Sequence, residues 1–118
     1  MKYVLMFIED HGQSGNLSGK PPADVYQEIG RWWGEQAAAG RVVSGEELQG
    51  PDTATTVRFR GGQPMLSDGP YLETKEVLGG FAVVEVPDLD AALEMAKTWP
   101  GQGIVEVRPL VDHSGEQH

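Results

Sequence analysis

Gly79-Gly80-Phe81-Ala82-Val83-Val84-Glu85-Val86-Pro87-Asp88-Leu89-Asp90-Ala91-Ala92-Leu93 is the stretch on which the fold turns. Phe81 to Val86 is a short apolar run rich in β-branched residues and introduced by a glycine pair, the pattern of a buried strand. Pro87-Asp88 then supplies a helix start, with an acceptor side chain at the cap ahead of a helical repeat. Leu89, Ala92, Leu93 and Ala96 share one face of that helix, and Pro100 lies past its end. Ile104 to Leu110 forms a further strand. Ile104, Glu106 and Arg108 point one way along it, Val105 and Val107 the other.

Toward the N-terminus the same order appears. Tyr3 to Ile8 is apolar at consecutive positions and too short for a typical helix, so it reads as a strand covered on both faces. His11 to Lys20 is a long polar loop, which in a compact domain is either mobile or functional. Pro21-Pro22-Ala23-Asp24 starts a helix in which Val25, Ile29, Trp32, Trp33, Gln36 and Ala37 recur at helical spacing, and Gly40 stops it. Trp32 and Trp33 point about 100° apart, so one enters the core and the other sits at its edge. Gly30 and Gly34 each cost about 1 kcal/mol relative to alanine, which marks them as points of close approach by a strand or partner helix. Val42-Val43-Ser44 begins a strand running toward Leu48, and Gly50-Pro51-Asp52 breaks it. Between the two units, Thr55 to Arg60 and Pro64-Met65-Leu66 flank Gly61-Gly62, a hairpin signal. Asp68-Gly69-Pro70 is a turn in which glycine supplies the unusual backbone angle.

Two strand–helix–strand units on one antiparallel sheet make an α+β, ferredoxin-like βαββαβ fold with an extra hairpin. Its helices cover one face of the sheet, yet the first strand is apolar on both. A second copy, sheet against sheet, is the economical cover, so a homodimer is expected. The 118 residues suit one domain, spanning 1–111 and followed by a polar tail from 112 to 118.

Composition narrows the function classes. The net charge is −9, from 18 acidic and 9 basic residues, which disfavours nucleic acid or an anionic membrane as partner. The absence of cysteine excludes disulfides, thiolate metal sites and cysteine nucleophiles. No apolar stretch approaches the roughly 18 residues of a membrane span, and the N-terminal run lacks a cleavage pattern, so a cytoplasmic location is expected. The chain has no GxGxxG, Walker A, GxSxG or paired-histidine spacing, so no cofactor and no metal is expected.

The chemistry-bearing segment is Ser67-Asp68-Gly69-Pro70-Tyr71-Leu72-Glu73-Thr74-Lys75-Glu76. Read as a pocket wall, Asp68 and Glu73 exchange protons, Tyr71 donates a hydrogen bond and Lys75 compensates charge. Read structurally, it is a solvated loop with Asp68 in an Asx-turn. Glu46 beside Gly45 is either a carboxylate entering a cleft or an exposed edge residue. Arg58 is a candidate for binding a substrate carboxylate, and His11, after the first strand, for a pocket mouth. Arg108 shares a face with Glu106, which makes an internal ion pair the simpler account.

The string from Ser67 to Phe81, together with Gly45-Glu46-Glu47-Leu48, Ala54-Thr55-Thr56-Val57-Arg58, Glu85 to Leu93 and Glu106 to Leu110, resembles the DGPF-domain branch of the YCII-related family. Tyr71 stands where that branch has phenylalanine. The resemblance implies a dimeric α/β barrel of ferredoxin-like subunits. Some DGPF-type proteins are encoded beside extracytoplasmic-function sigma factors, and a few YCII relatives are lyases that remove HCl from chlorinated hydroxyquinones. Those relatives carry a histidine near the start of the first helix, where this chain has Asp24. The resemblance therefore implies a cofactor-independent lyase or isomerase resting on carboxylates and tyrosines, or a non-catalytic ligand-binding or regulatory dimer.

Overall fold

Tyr3, Leu5 and Phe7 are buried while Val4, Met6 and Ile8 between them are half-buried, and this alternation assigns the faces of the sheet. The structure is a computed structural model and describes residues 1–10, 22–69, 76–101 and 103–113. Its elements are β1 (Lys2–Asp10), α1 (Pro22–Ala38), β2 (Val42–Glu47), a 3₁₀ turn (Pro51–Thr53), β3 (Thr55–Arg60), β4 (Gln63–Asp68), β5 (Glu76–Glu85), α2 (Leu89–Lys97) and β6 (Ile104–Pro109). Four strands form one antiparallel sheet in the order β2-β5-β1-β6, and β3 with β4 forms a separate two-stranded ribbon. Each helix carries the chain past one intervening strand, so the two units interlock as in a ferredoxin-like α+β fold.

Both helices pack on the face that carries Tyr3, Leu5 and Phe7. The core joins these to Ala82, Val84 and Val86, to Trp32 of α1, and to Ala92 and Met95 of α2. Leu5 and Val84 are fully buried, and losing a leucine side chain from such a site costs about 2–5 kcal/mol. The indole N–H of Trp32 donates to Thr98 Oγ1 at 2.8 Å, tying α1 to the end of α2. Gln36 is buried and accepts from Arg41 Nη1 at 2.8 Å, so its burial leaves no orphaned carbonyl oxygen. Asp88 caps α2 as expected, its side chain accepting from the Ala91 N–H at 2.9 Å.

The structure corrects four sequence expectations. In α2 the buried residues are Ala92 and Met95, with Ala91 and Ala96 packed against the core, whereas Leu89 and Leu93 are exposed. The small side chains let the helix sit close to the sheet and leave the longer leucines at its margins. In α1, Ala37 is exposed, and, the helix's own backbone aside, no described atom of this chain lies within 4 Å of where a Cβ on Gly30 or Gly34 would stand. A close approach to α1 occurs at Gly45 instead, where a Cβ would stand 2.5 Å from the Trp33 ring and 2.7 Å from the Phe81 carbonyl oxygen. Gly79 and Gly80 do not precede β5 but lie inside it, where an irregularity opposite Phe7 and Ile8 absorbs the extra residue.

The hairpin matches its sequence signal. Gly61 and Gly62 have φ of 56° and 79°, the pair of left-handed conformations of a type I′ turn. Val57 pairs with Leu66 and Phe59 with Pro64, so one face of the ribbon is apolar. Val57, Phe59 and Leu66 are 48%, 71% and 74% exposed, so nothing described covers that face. No described helix is long and apolar enough to cross a membrane.

Candidate functional site

Tyr26, Ile29, Gly30 and Trp33 follow i, i+3, i+4, i+7 spacing along α1 and so share one stripe. This stripe overhangs the sheet where Phe7 and Glu9 of β1, Glu47 of β2 and Gly79 and Gly80 of β5 come together. A cavity of about 250 Å³ lies between them, and Trp99, just after α2, closes its far side.

Aromatic rings build the wall. Phe7 stacks on Trp99 with centroids 3.9 Å apart and planes at 17°. Trp32 and Trp33 meet Phe7 edge-on, with centroids at 5.7 and 6.0 Å. Such pairs add about 0.5–1.5 kcal/mol each beyond the area they bury, so the wall is stiff. Room for the cavity comes from the glycines of β5. At Gly79 a Cβ would meet the Glu9 carboxylate at 2.5 Å, which means that Glu9 lies directly over the glycine.

The polar groups are acidic. The Tyr26 hydroxyl donates to Glu47 Oε2, a hydrogen bond that joins α1 to β2. That bond raises the Tyr26 phenol above its usual value; desolvation and the negative charges of Glu47 and Glu9 push the same way. Two carboxylates and one phenol therefore act on one another across the cavity mouth. Among the described lining residues there is no lysine, arginine or histidine. No group of three His, Asp or Glu side chains placed to hold a metal occurs among the described residues.

Of the sequence candidates, Glu46 borders this cavity, though its register partner is Phe81, on the sheet face away from the helices. Asp24 is exposed in the first turn of α1 and is not a lining residue. Arg58 lies on β3 opposite Met65, and Asp68 at the end of β4 opposite Thr55, both in the ribbon and away from the cavity lining. Gly69, just after Asp68, has φ of 92°, as the turn signal required, and its carbonyl accepts from Thr56 Oγ1 at 2.6 Å. His11, Tyr71, Glu73 and Lys75 lie outside the described residues. Glu106 and Arg108 form the expected ion pair at 2.6 Å.

Tyr26, Glu47 and Glu9 are the site residues that sequence reading passed over. The signal for Tyr26 was present, because its spacing to Ile29 and Trp33 is helical. Asp10 and Glu76 are register partners at the end of the sheet, one position beyond the pair Glu9 and Val77.

Residues 1–114 match the YCII-related domain. An uncharacterised protein of Rhizobium meliloti (strain 1021) is 30% identical over 114 residues, covering 93% of this chain and 92% of that protein. With the interlocked strand–helix–strand units already seen, this match over nearly its whole length means that the chain belongs to the YCII-related domain family.

Proposed function

We propose that this domain binds a small molecule in the cavity beneath α1 and acts on it by carboxylate acid–base chemistry, as a cofactor-independent lyase or isomerase. The observation that carries this reading is the Tyr26–Glu47 hydrogen bond at the mouth of an aromatic-walled cavity. A carboxylate held by a phenol is a fixed proton acceptor. The phenol, once released, is a donor for negative charge developing on a substrate oxygen. Glu46, which borders the cavity, Glu73 and Tyr71 are further candidates for proton exchange, and Lys75 and His11 for holding the substrate, whereas Asp68, Arg58 and Asp24 lie off the lining of this cavity and would reach a substrate only from another subunit. The Asp-Gly-Pro-Tyr string supports assignment to the DGPF branch.

A metabolite screen by thermal shift, followed by mass spectrometry of each stabilising compound, tests this reading. At least one stabilising compound should be converted. Glu47→Gln should retain its binding and lose about 10²–10⁴-fold in turnover, the usual share of one general base. Stabilising ligands that are never converted would defeat the catalytic reading and favour the alternative, a non-catalytic ligand-binding or regulatory dimer.

One observation favours the dimer in either case. The ribbon exposes Val57, Phe59 and Leu66, and the sheet face bearing Val4, Met6 and Val83 carries no described helix. We propose a homodimer of α/β-barrel type that covers these surfaces, working in the cytoplasm without nucleic acid or membrane. A place in an extracytoplasmic-function sigma-factor circuit is tested by pull-down with that factor.

A further inference from the structure

The cavity beneath α1 and a second space beside it share one wall, the ring of Trp99. In the register of the sheet, Phe7 sits between Gly80 of β5 and Val105 of β6. The cavity lies on the Gly80 side. On the Val105 side an open groove of about 390 Å³ runs between α2 and β6, lined by Leu93, Ala96, Val105, Val107 and Trp99. Lys97 and Gly103 complete it, with Lys97 engaged by Glu94 at 3.0 Å. Trp99 is the one described residue that lines both spaces. It stacks directly on Phe7, centroids 3.9 Å apart, so its ring stands where the two would otherwise meet.

The ring is held there from several sides. Trp32 meets it edge-on, with centroids 5.1 Å apart and planes at 85°. Trp32 in turn donates to Oγ1 of Thr98, the residue before Trp99. The Trp99 backbone N–H donates to the Ala96 carbonyl oxygen at 3.1 Å. A Cβ on Gly101 would stand 2.7 Å from the indole, so the chain folds back onto the ring as well. Moving the ring would break two aromatic contacts at once, so a ligand that is a little too long is excluded rather than accommodated. We infer that Trp99 is the specificity-determining residue of the cavity, a fixed partition that limits the ligand to a compact body of about one ring. This rests on the small-molecule reading above and adds the ligand's size class. A volume of about 250 Å³ lies just below the usual range for ligand pockets and suits such a body. The groove is the apolar space that a longer ligand would take if the ring were absent.

A neutral series that varies only in length isolates the claim: benzyl alcohol, 2-phenylethanol, 4-phenylbutanol and 6-phenylhexanol, titrated into the full chain. Trp33 lines the cavity and is present in every variant, so its indole N–H signal in NMR reports occupancy. Each methylene that becomes buried adds about fourfold in affinity. In the wild type the gain should stop after 2-phenylethanol. In Trp99→Ala it should continue through 6-phenylhexanol, which binds this variant tighter than wild type by roughly tenfold or more. Trp99→Leu, which keeps a smaller apolar side chain over Phe7, should fall between the two, and it carries the test if Trp99→Ala does not fold. A rise with length that is the same in wild type and variants, or a stop at the same length in all, overturns the partition while leaving the small-molecule cavity standing. No shift of the Trp33 signal by any of the alcohols, in wild type or variant, removes the cavity reading and the partition together.

Discussion

Tyr26 and Glu47 are 21 residues apart in the chain and in direct contact across the mouth of the cavity. Their contact has a titratable signature. The Tyr26 phenol is raised because the bound carboxylate stabilises the protonated form. A group raised on folding contributes stability that is present below its unfolded value, about 10 for tyrosine, and lost as pH rises through the folded value. Absorbance titration of the phenol, isolated as the difference between wild type and Tyr26→Phe, should therefore show ionisation above the ordinary value. Glu47→Gln should bring the midpoint down, because the amide still accepts a hydrogen bond but carries no charge. An unchanged midpoint in Glu47→Gln would mean that the carboxylate does not hold the phenol. The sequence reading singled out Glu46 for its place beside Gly45 and passed over Glu47, whose orientation depends on a register shift. Val42 pairs with Val84 on the helix side of the sheet, and simple alternation would carry Ser44 and Glu46 to that side. The irregularity between Val42 and Ser44 reverses the parity, so Gly45 and Glu47 face the helices. A one-residue shift in a strand exchanges its faces, and nothing in residue type announces where it falls.

At the scale of elements, the signals that are local in the chain were the legible ones. Asp88 as a cap and Gly61-Gly62 as a turn each act within a few residues, and the structure has both. Which face of α2 is buried depends on how near the sheet the helix sits, and that is a tertiary quantity. Hence Met95 occupies the core position expected of Leu93. The same holds for the glycines: Gly30 and Gly34 stood out by helix propensity, while Gly45 is crowded by Trp33, a side chain from another element. The cap is the element whose contribution is easiest to measure. Asp88→Ala leaves the Ala91 N–H without its acceptor and should lower stability by about 1 kcal/mol. In a thermal melt that appears as a fall of roughly 4 °C in Tm for a domain of this size. A Tm equal to wild type would show that water replaces the cap at no cost.

At the scale of the whole molecule, the amphipathic pattern was legible as strands but not as a destination. The first strand is apolar on both faces, and the described helices cover only one of them. The ribbon poses the same problem more sharply. A two-stranded hairpin is marginal in water by itself, and this one presents Val57, Phe59, Pro64 and Leu66 on a single face. Exposed apolar patches of this kind mark interaction surfaces. In the proposed homodimer, the ribbon's apolar face and the uncovered sheet face are buried between copies. Sedimentation at micromolar concentration should then give about twice the 12.8 kDa of the chain. Phe59 and Leu66 are largely exposed within one chain, so Phe59→Asp and Leu66→Asp should leave the circular dichroism of the subunit unchanged. Each should shift the sedimenting species toward the monomer, because a buried, unpaired carboxylate costs far more at an interface than on a wet surface. A dimer that survives both substitutions would assign the contact to the sheet face alone and leave the ribbon to another partner. A wild-type monomer would remove the proposed barrel, and the apolar side of β1 would then need a cover other than a second copy.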